Sequence, residues 1–454
     1  MKKWIVLTAA LVMIANAAWA AKAAAKTTAS KPTPVQASAS ADDSLTAAQR
    51  QIETMTPGLA YNFSLDVSLI DMYNMNFANT NQTSSWYYYP VYRAIVTDVF
   101  QHGFGVTADI EKPGYAGLTY PTIKVNELYG KYKMGNFYYK LGRQIFGDPD
   151  DLILGLQSDA VAFGMNLENI DLEFFYAHSD VVSVIGTMDG TIGLIPTFTF
   201  SPSMGLRGYL LIETQPITVT SGGTTSDKTN SIIFLGAKYY ADLAVGSNAS
   251  IAVGAQPAIQ FALAQDAAAR NIDATSFGIK ADGTFKMAAS RDFGFKAGAH
   301  MIFTGGDPDV ALNTKAGFCS TNELVGSGPG LFDKVQDGAG PYTFVDTIGS
   351  SKLQQYAGVF AFGLDAGFDV LDKTLQPGLA LWFYSDTDTV SNVKSSYIGT
   401  EFDETVVYHL NEHLSFYQQL GVMMPNPSYH LPTGGTDPSL GMGMKFVLGT
   451  KLEF

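Results

Sequence analysis

The residue types used most often in catalysis and metal binding occur in this sequence without the spacing that either chemistry needs. His409 and His413 have i, i+4 spacing, which suits two metal ligands only on a helix. Here they flank a short turn between two predicted strands, which favours ordinary polar residues. No G-x-S-x-G nucleophile motif occurs, and the lone cysteine, Cys319, has no His partner arranged around it. The sequence therefore predicts no enzyme, no cofactor and no metal centre.

Acidic residues form clusters that suit other roles. Residues 147–151 and 306–309 hold several carboxylates in predicted outer loops, where such groups either bind Ca²⁺ or form solvated turns. Glu401 and Asp403 share one face of a predicted strand.

Composition excludes several classes of protein. The formal net charge of −14 argues against a nucleic-acid partner, because duplex affinity rests on Lys and Arg at the phosphates. Charged residues make up only 15% of the 454 residues, which is low for a soluble surface, and 23 Tyr and 29 Phe make aromatic residues abundant. Low charge, many aromatic residues and no long apolar run together favour a membrane barrel over a soluble enzyme.

Apolar residues alternate with small or polar residues along most of the chain. In residues 440–454, every second residue from Leu440 is apolar except Thr450, and the residues between them are small or charged except Val447. A period of two is typical of a strand with one apolar and one polar face. The closing Phe454 makes this stretch resemble the final strand of a bacterial outer-membrane barrel. The same alternation recurs at 170–176, 233–242, 251–263, 277–289 and 293–303.

Eighteen such segments follow residue 58. They begin near 58, 86, 104, 121, 136, 157, 170, 191, 204, 229, 249, 272, 292, 353, 374, 397, 413 and 439. Short turns alternate with longer links, as do the periplasmic turns and extracellular loops of outer-membrane barrels, and an even strand number returns both ends to the periplasm. The longer links are 72–85, 112–120, 145–156, 180–190, 218–228, 265–271, 305–352, 386–396 and 425–438. The prediction is an all-β fold, a transmembrane antiparallel up-and-down β-barrel of about eighteen strands over residues 58–454.

The residues before this region have two predicted roles. Residues 1–20 resemble a secretory signal peptide, with two lysines at the start, an apolar middle and an A-x-A cleavage site. Residues 21–57 are interpreted as a flexible periplasmic leader, since the first part has almost no large apolar side chain. A short helix over residues 45–54 is compatible with the sequence.

Eighteen strands enclose a lumen too wide for side chains to fill, so we expect an aqueous channel. Its selectivity would come from charged side chains on the lumen face and from loops that fold inward. The longest connection, residues 305–352, is the expected constriction loop or lid. By the alternation, the lumen-facing set includes Glu127, Lys131, Lys140, Arg207, Lys238, Lys280, Lys296, Glu401 and Asp403.

Several stretches resemble the alginate export family of outer-membrane porins. Residues 125–129 lead through the Leu-Gly-Arg-Gln of 141–144 into an acidic loop and then residues 158–161, and 303–307 and 399–415 fit as well. The resemblance implies an eighteen-stranded barrel and a channel for an anionic polysaccharide or a related solute, lined by basic side chains. The lumen or rim residues that it implies are Glu127, Arg143, Gln144 and Asp159.

The charge balance departs from that implied basic lining. Residues 58–454 hold 22 basic residues (28 − 6) and 39 acidic residues (42 − 3), a net charge of −17. We therefore predict a porin of the bacterial outer membrane for passive diffusion of hydrophilic solutes. The alternatives are a selective exporter of an anionic polysaccharide and a structural or adhesive barrel with a closed lumen. The predicted partners are outer-membrane lipid, lipopolysaccharide and the solutes or polysaccharide, with no nucleic acid.

Overall fold

Eighteen strands form one closed antiparallel barrel in the structure, a computed structural model of the chain. It describes residues 46–73, 84–113, 123–147, 151–178, 182–183, 186–187, 190–221, 224–265, 271–305, 359–387, 396–426 and 442–454. The strands of the barrel are β1 (Gly58–Tyr73), β2 (Ser84–Phe100), β3 (Phe104–Pro113), β4 (Lys124–Met134), β5 (Phe137–Gly147), β6 (Gly155–Leu167), β7 (Ile170–His178), β10 (Gly190–Ser201), β11 (Met204–Ser221), β12 (Thr224–Ala244), β13 (Ala249–Gln265), β14 (Asn271–Ala288), β15 (Phe293–Thr304), β16 (Val359–Val370), β17 (Leu375–Asp386), β18 (Tyr397–His409), β19 (Leu414–Pro425) and β20 (Gly443–Glu453).

Each strand pairs with its neighbours in chain order, and β20 pairs with β1 to close the barrel. A small hairpin of β8 (Val182–Ser183) and β9 (Gly186–Thr187) lies outside the barrel sheet, because β7 pairs directly with β10. Beside the closing pair, Phe63 and Phe454 exchange both backbone hydrogen bonds, at 2.9 and 2.8 Å. The predicted fold class and strand number are therefore confirmed.

Most strands begin within a few residues of the predicted positions, and among the starts predicted at described residues the largest difference is that of β12, which begins at Thr224 instead of 229. The link predicted over 218–228 is mostly paired strand, since Ser221 is opposite Thr224. The Thr- and Val-containing stretch 217–220 favours strand over loop. The residues that precede β16 and β20 at the predicted starts, 353–358 and 439–441, lie outside the described residues.

The connections separate by length, as the sequence predicts. Short turns at 101–103, 135–136, 168–169, 202–203, 245–248, 289–292, 371–374 and 410–413 gather at one end, here called the turn end. The connections at the opposite end, the loop end, are longer except between β11 and β12. In outer-membrane barrels the short turns face the periplasm.

Apolar side chains cover the outer face of the barrel. Leu194, Leu210, Leu235, Ile259 and Phe277 lie directly opposite one another on β10 to β14 and are 39–54% exposed. A row of exposed apolar side chains across neighbouring strands is the lipid-facing surface of a transmembrane barrel. The row also defines which alternate residues face outward on these strands.

Not all Tyr and Trp residues near the strand ends face outward. Tyr138, Trp382 and Tyr384 face the interior and are 5%, 8% and 1% exposed. Tyr139, next to Tyr138, faces outward and is 42% exposed. Successive strand residues face opposite sides, so only one of two adjacent aromatic residues can reach the lipid.

A single helix, α1 (Ala47–Thr54), precedes the barrel in the described part of the chain. Thr46 and Gln49 form a capping box at its start, and Met55 ends it in the left-handed conformation (φ 56°). Residues 47–54 therefore form a helix within the 45–54 stretch where the sequence is compatible with one. Residues 1–45, with the predicted signal peptide, lie outside the described residues. Among those that are described, no helix is long and apolar enough to cross a membrane.

Candidate solute pathway through the barrel

The strand register assigns each predicted pore residue to the lumen or to the outer face. For example, Leu141 is 70% exposed on the outer face, so its neighbour Lys140 faces the lumen. The same parity places ten of the predicted residues on the inner wall. They are Glu127, Lys131, Lys140, Gln144, Arg207, Lys238, Lys280, Lys296, Glu401 and Asp403. Their role in transport stays a prediction.

The remaining two residues, Arg143 and Asp159, lie on the outer face and do not line the pore. Arg143 is opposite Leu128, which is 52% exposed, and Asp159 is opposite Arg143. The guanidinium and carboxylate groups approach to 3.7 Å. An odd-numbered residue of β5 cannot face the lumen when Lys140 and Gln144 do so.

A charged cluster begins where Lys131 on β4 and Lys140 on β5 lie opposite each other. The Lys140 ammonium is 3.1 Å from a carboxylate oxygen of Glu173 on β7, and the Tyr138 hydroxyl donates to that carboxylate at 2.9 Å. Both ammonium groups lie over the Tyr138 ring, 5.3 and 5.4 Å from its centre. The ring and the carboxylate together stabilise two nearby positive charges.

Helix α1 lies inside the barrel against the inner wall. Ile52 packs with Val99 of β2 and Tyr129 of β4, and the three side chains are at most 6% exposed. Gly105 of β3 leaves the space for this contact, because a Cβ there would lie 2.6 Å from Cδ1 of Ile52. Val99, Gly105 and Tyr129 all have inward parity, which places the helix in the turn half of the lumen.

The helix also brings a carboxylate to the charged cluster. Glu53 Oε2 is 2.8 Å from the Lys131 ammonium, and the Glu53 side chain is 47% exposed to the lumen. Burial raises the pKa of Glu53, but the positive charges of Lys140 and Lys131 outweigh it and hold the pKa below its ordinary value. The helix is therefore held by a charged carboxylate at neutral pH.

We expect acid to weaken the docking of α1. The pKa of Glu53 is lower when the helix is docked than when it is free. The ion pair of Glu53 therefore stabilises the docked helix at pH values above 4.5, and this stabilisation is lost as the pH falls through the pKa of the docked Glu53. Limited proteolysis across pH 7 to 3 would measure the release of residues 46–57. A Glu53→Gln variant whose protection has the same pH dependence would contradict the prediction. The other charged groups that face Glu53 are Lys131, Lys133, Lys140, Glu127, Asp171 and Glu173.

A polar cavity of about 510 Å³ lies between α1 and the wall. Arg207 of β11 reaches it, lies 5.7 Å from the centre of the Tyr209 ring, and has a buried Nε with no hydrogen-bond partner. The charged residues that line the cavity are Glu53, Lys131, Lys133, Lys140, Asp171, Glu173 and Arg207.

The loop half of the lumen has an apolar lining instead. Leu152, Ile153 and Leu154, between β5 and β6, are fully buried and fold inward. Ile153 reaches β12, where Gly236 leaves room for it, since a Cβ there would lie 2.3 Å from Cδ1 of Ile153. The buried residues that pack together in this cluster include Phe146, Phe175, Ile195, Tyr209, Phe234, Ile302, Ala361, Trp382, Tyr384 and Met423.

Asp151 anchors this inward segment. Its carboxylate accepts hydrogen bonds from the Tyr209 hydroxyl at 2.5 Å, from the Gln256 side-chain amide, and from the backbone N–H of Ile153 at 2.9 Å. The Leu152 N–H donates to Gln256 Oε1 at 2.8 Å. Asp151 is fully buried, so it is not part of a solvated turn or a surface Ca²⁺ site. The rest of that acidic run, 148–150, and the second run, 306–309, lie outside the described residues, as do residues 306–352 of the expected constriction loop.

Polar contacts also fix aromatic side chains on β15 to β18. The Tyr384 hydroxyl donates to Glu401 at 2.6 Å. His300 is 2.6 Å from Asp365 and stacks on Trp382 with ring centres 5.5 Å apart. Glu401 is therefore a wall residue that holds an aromatic ring rather than a free carboxylate in the lumen.

The chain has the fold of several solved proteins over almost their whole length. OccAB1 of Acinetobacter baumannii has a TM-score of 0.57 at 10% identity, covering 87% of this chain and 96% of that one. The outer membrane protein OprD of Pseudomonas aeruginosa has a TM-score of 0.54 at 11% identity, covering 87% and 93%. OpdL of the same organism has a TM-score of 0.54 at 13% identity, covering 87% and 98%.

The chain has the fold of an outer-membrane β-barrel. No family model and no curated protein matches it. The resemblance to the alginate export family therefore stays a prediction, and the solved structures at this identity show the fold alone.

Sequence reasoning missed the two features that occupy the lumen. The signal for α1 is the Thr46–Gln49 capping box before Ile52, which was compatible with a helix but did not indicate its position. The signal for the inward segment is the apolar triplet Leu152-Ile153-Leu154, which lacks the alternation of a strand and follows an acidic run. Burial of three consecutive apolar side chains removes their surface from water, which is favourable.

Proposed function

We propose that this barrel is an outer-membrane porin through which small hydrophilic solutes diffuse passively. The observation that carries the proposal is the polar cavity in the turn half of the lumen, lined by charged side chains of β4, β5, β7 and β11. Barrels of about 16–18 strands have an interior too wide for side chains to fill. Passage through such a channel needs no catalytic residue, cofactor or energy source. The outer face would contact lipid and lipopolysaccharide.

The basic side of the cavity supports a second candidate, a channel for an anionic polysaccharide such as the alginate family resemblance implies. Lys131, Lys133, Lys140 and Arg207 supply positive charge there. A polysaccharide conduit needs basic groups along its whole length. The apolar cluster around Leu152, Ile153 and Leu154 in the loop half favours small solutes instead.

Single-channel conductance of the refolded protein in a planar bilayer, with a salt gradient across it, tests the proposal. We expect discrete conducting steps, with ion selectivity set by the lumen charges. Block of the current by polyuronate at low concentration would favour the polysaccharide channel. Correctly inserted protein that conducts no current would contradict both candidates and favour a structural or adhesive barrel.

A further inference from the structure

Helix α1 occupies part of the lumen through contacts that a solute could replace. The Glu53 carboxylate lies on the Lys131 ammonium at 2.8 Å, beside the polar cavity. We propose that α1 is a displaceable plug, that Glu53 fills an anion site of the inner wall, and that solutes carrying a carboxylate compete with it for that site. This inference rests on the proposed function, since it names the class of solute and the control of the same lumen.

The charge on the wall around the cavity fits an anion. Lys131, Lys133, Lys140 and Arg207 contribute four positive charges, and Asp171 and Glu173 contribute two negative charges. The wall lining therefore has a surplus of two positive charges (4 − 2), and the carboxylate of Glu53 neutralises one of them. The guanidinium of Arg207, which lines the same cavity, carries further N–H donors. An arriving carboxylate finds the ligands that now hold Glu53.

The apolar attachment of the helix is small. Ile52 and Met55 belong to the cluster with Val99 and Tyr129, Ala48 is the only other buried apolar residue of the described helix segment, and Ile52 enters the space that Gly105 leaves open. An isolated helix of eight residues is not stable in water, so α1 depends on this docking for its structure. Loss of either the ion pair or the Ile52 contact therefore favours release.

The helix can leave without disturbing the barrel strands. Residues 55–57 join the helix to β1. Met55 has a left-handed conformation with a φ of 56°, and Gly58 has a positive φ of 135°. The Glu53 side chain is also half exposed to the lumen, so an anion can approach it while the helix is docked. Competition at Lys131 is thus compatible with the geometry.

Two substitutions attack the docking by independent routes. Glu53→Gln removes the negative charge of the ion pair with Lys131, and Gly105→Val fills the space that Ile52 needs. The matched controls are Glu412→Gln, on a carboxylate in an exposed turn, and Gly283→Val, at a strand glycine with no atom within 4 Å of an added Cβ. The controls make the same chemical changes away from α1.

The position of the helix is measured separately from conduction. Ala48 is fully buried when α1 is docked, so in a Cys319→Ser, Ala48→Cys background a thiol reagent reports its release. We expect Glu53→Gln to raise the labelling rate about tenfold, the effect of losing one charge-assisted hydrogen bond. Gly105→Val should raise it as well, and both controls should leave it unchanged. In the protein that retains Glu53, D-galacturonate should raise the labelling rate, whereas galactose, which lacks the carboxylate, should not.

Conductance of the same variants separates this inference from the proposed function. We expect larger open conductance in Glu53→Gln and Gly105→Val than in the two controls. Labelling and conductance that are equal in all variants would overturn the plug. Labelling that rises in both variants but not with galacturonate would overturn the anion competition. Labelling that changes as expected while no variant conducts would contradict the porin and leave the displaceable helix standing.

Discussion

Replacing Asp151 by alanine should release the inward segment 151–154 and raise the single-channel conductance several-fold. Its carboxylate accepts the Tyr209 hydroxyl, the Gln256 amide and the Ile153 N–H in a site that water does not reach. A hydrogen bond to a charged group contributes about 1.5–3 kcal/mol, and removal of the shared acceptor leaves several buried donors unsatisfied. The unsatisfied donors cost free energy only while residues 151–154 stay buried in the lumen. The substitution therefore favours an arrangement in which this segment has moved out of the lumen.

Planar-bilayer recordings of Asp151→Ala beside Asp372→Ala would test this expectation. Asp372 lies in an exposed turn and pairs with Arg291 at 3.2 Å, so the same substitution there should leave the conductance unchanged. Tyr209→Phe removes one of the hydrogen bonds and should give an intermediate increase. Wild-type conductance in a correctly inserted Asp151→Ala protein would mean that the apolar contacts of Leu152, Ile153 and Leu154 suffice to hold the segment.

Replacing Leu235 by arginine should lower the free energy of unfolding in lipid by about 2–4 kcal/mol, the cost of a cationic side chain at the bilayer midplane. Leu235 is 51% exposed on the outer face, between Leu210 of β11 and Ile259 of β13. No outward carboxylate lies opposite it on either neighbouring strand to pair with the new charge. Urea-induced unfolding of the vesicle-inserted protein would measure the loss.

Thr284→Arg provides the inward counterpart. Thr284 lies opposite Ala252 and Gly298 on neighbouring strands and has the opposite parity to the exposed Phe277. An arginine there reaches the lumen and should change stability by much less than the change at Leu235. Equal losses at the two positions would contradict the assignment of inner and outer faces.

The barrel could be predicted from the sequence because its strands obey a local rule. Along β12, Leu235 and Leu243 face lipid while Gly236, Lys238 and Asp242 face the interior, and this alternation is visible in the sequence alone. The same rule placed Lys131, Lys140 and Arg207 on the wall. The alternation also assigns Arg143 and Asp159 to the outer face. The family resemblance had implied that these two residues lie in the lumen or at the rim, so here the alternation was the better guide.

The contents of the lumen could not be predicted in the same way. The contact of Asp151 with Gln256 joins residues 105 positions apart, and that of Glu53 with Lys131 joins residues 78 positions apart. Neither pair has a sequence signature, because each depends on where a loop or a helix folds once the barrel exists. Acidic runs such as 147–151 look solvated in sequence, and only the tertiary position of Asp151 reveals its burial.

The pairing of β1 with β20 gives the assembly of this protein an order. Asn62 donates to the carbonyl of Phe454, 392 positions along the chain, whereas each hairpin at the turn end joins residues that are close in sequence. Contacts of such separation form slowly, so neighbouring hairpins should assemble first and the β1–β20 contact last. Since α1 is tethered directly to β1 and packs on β2 and β4, the wall that holds the helix can form before the β1–β20 contact closes the barrel.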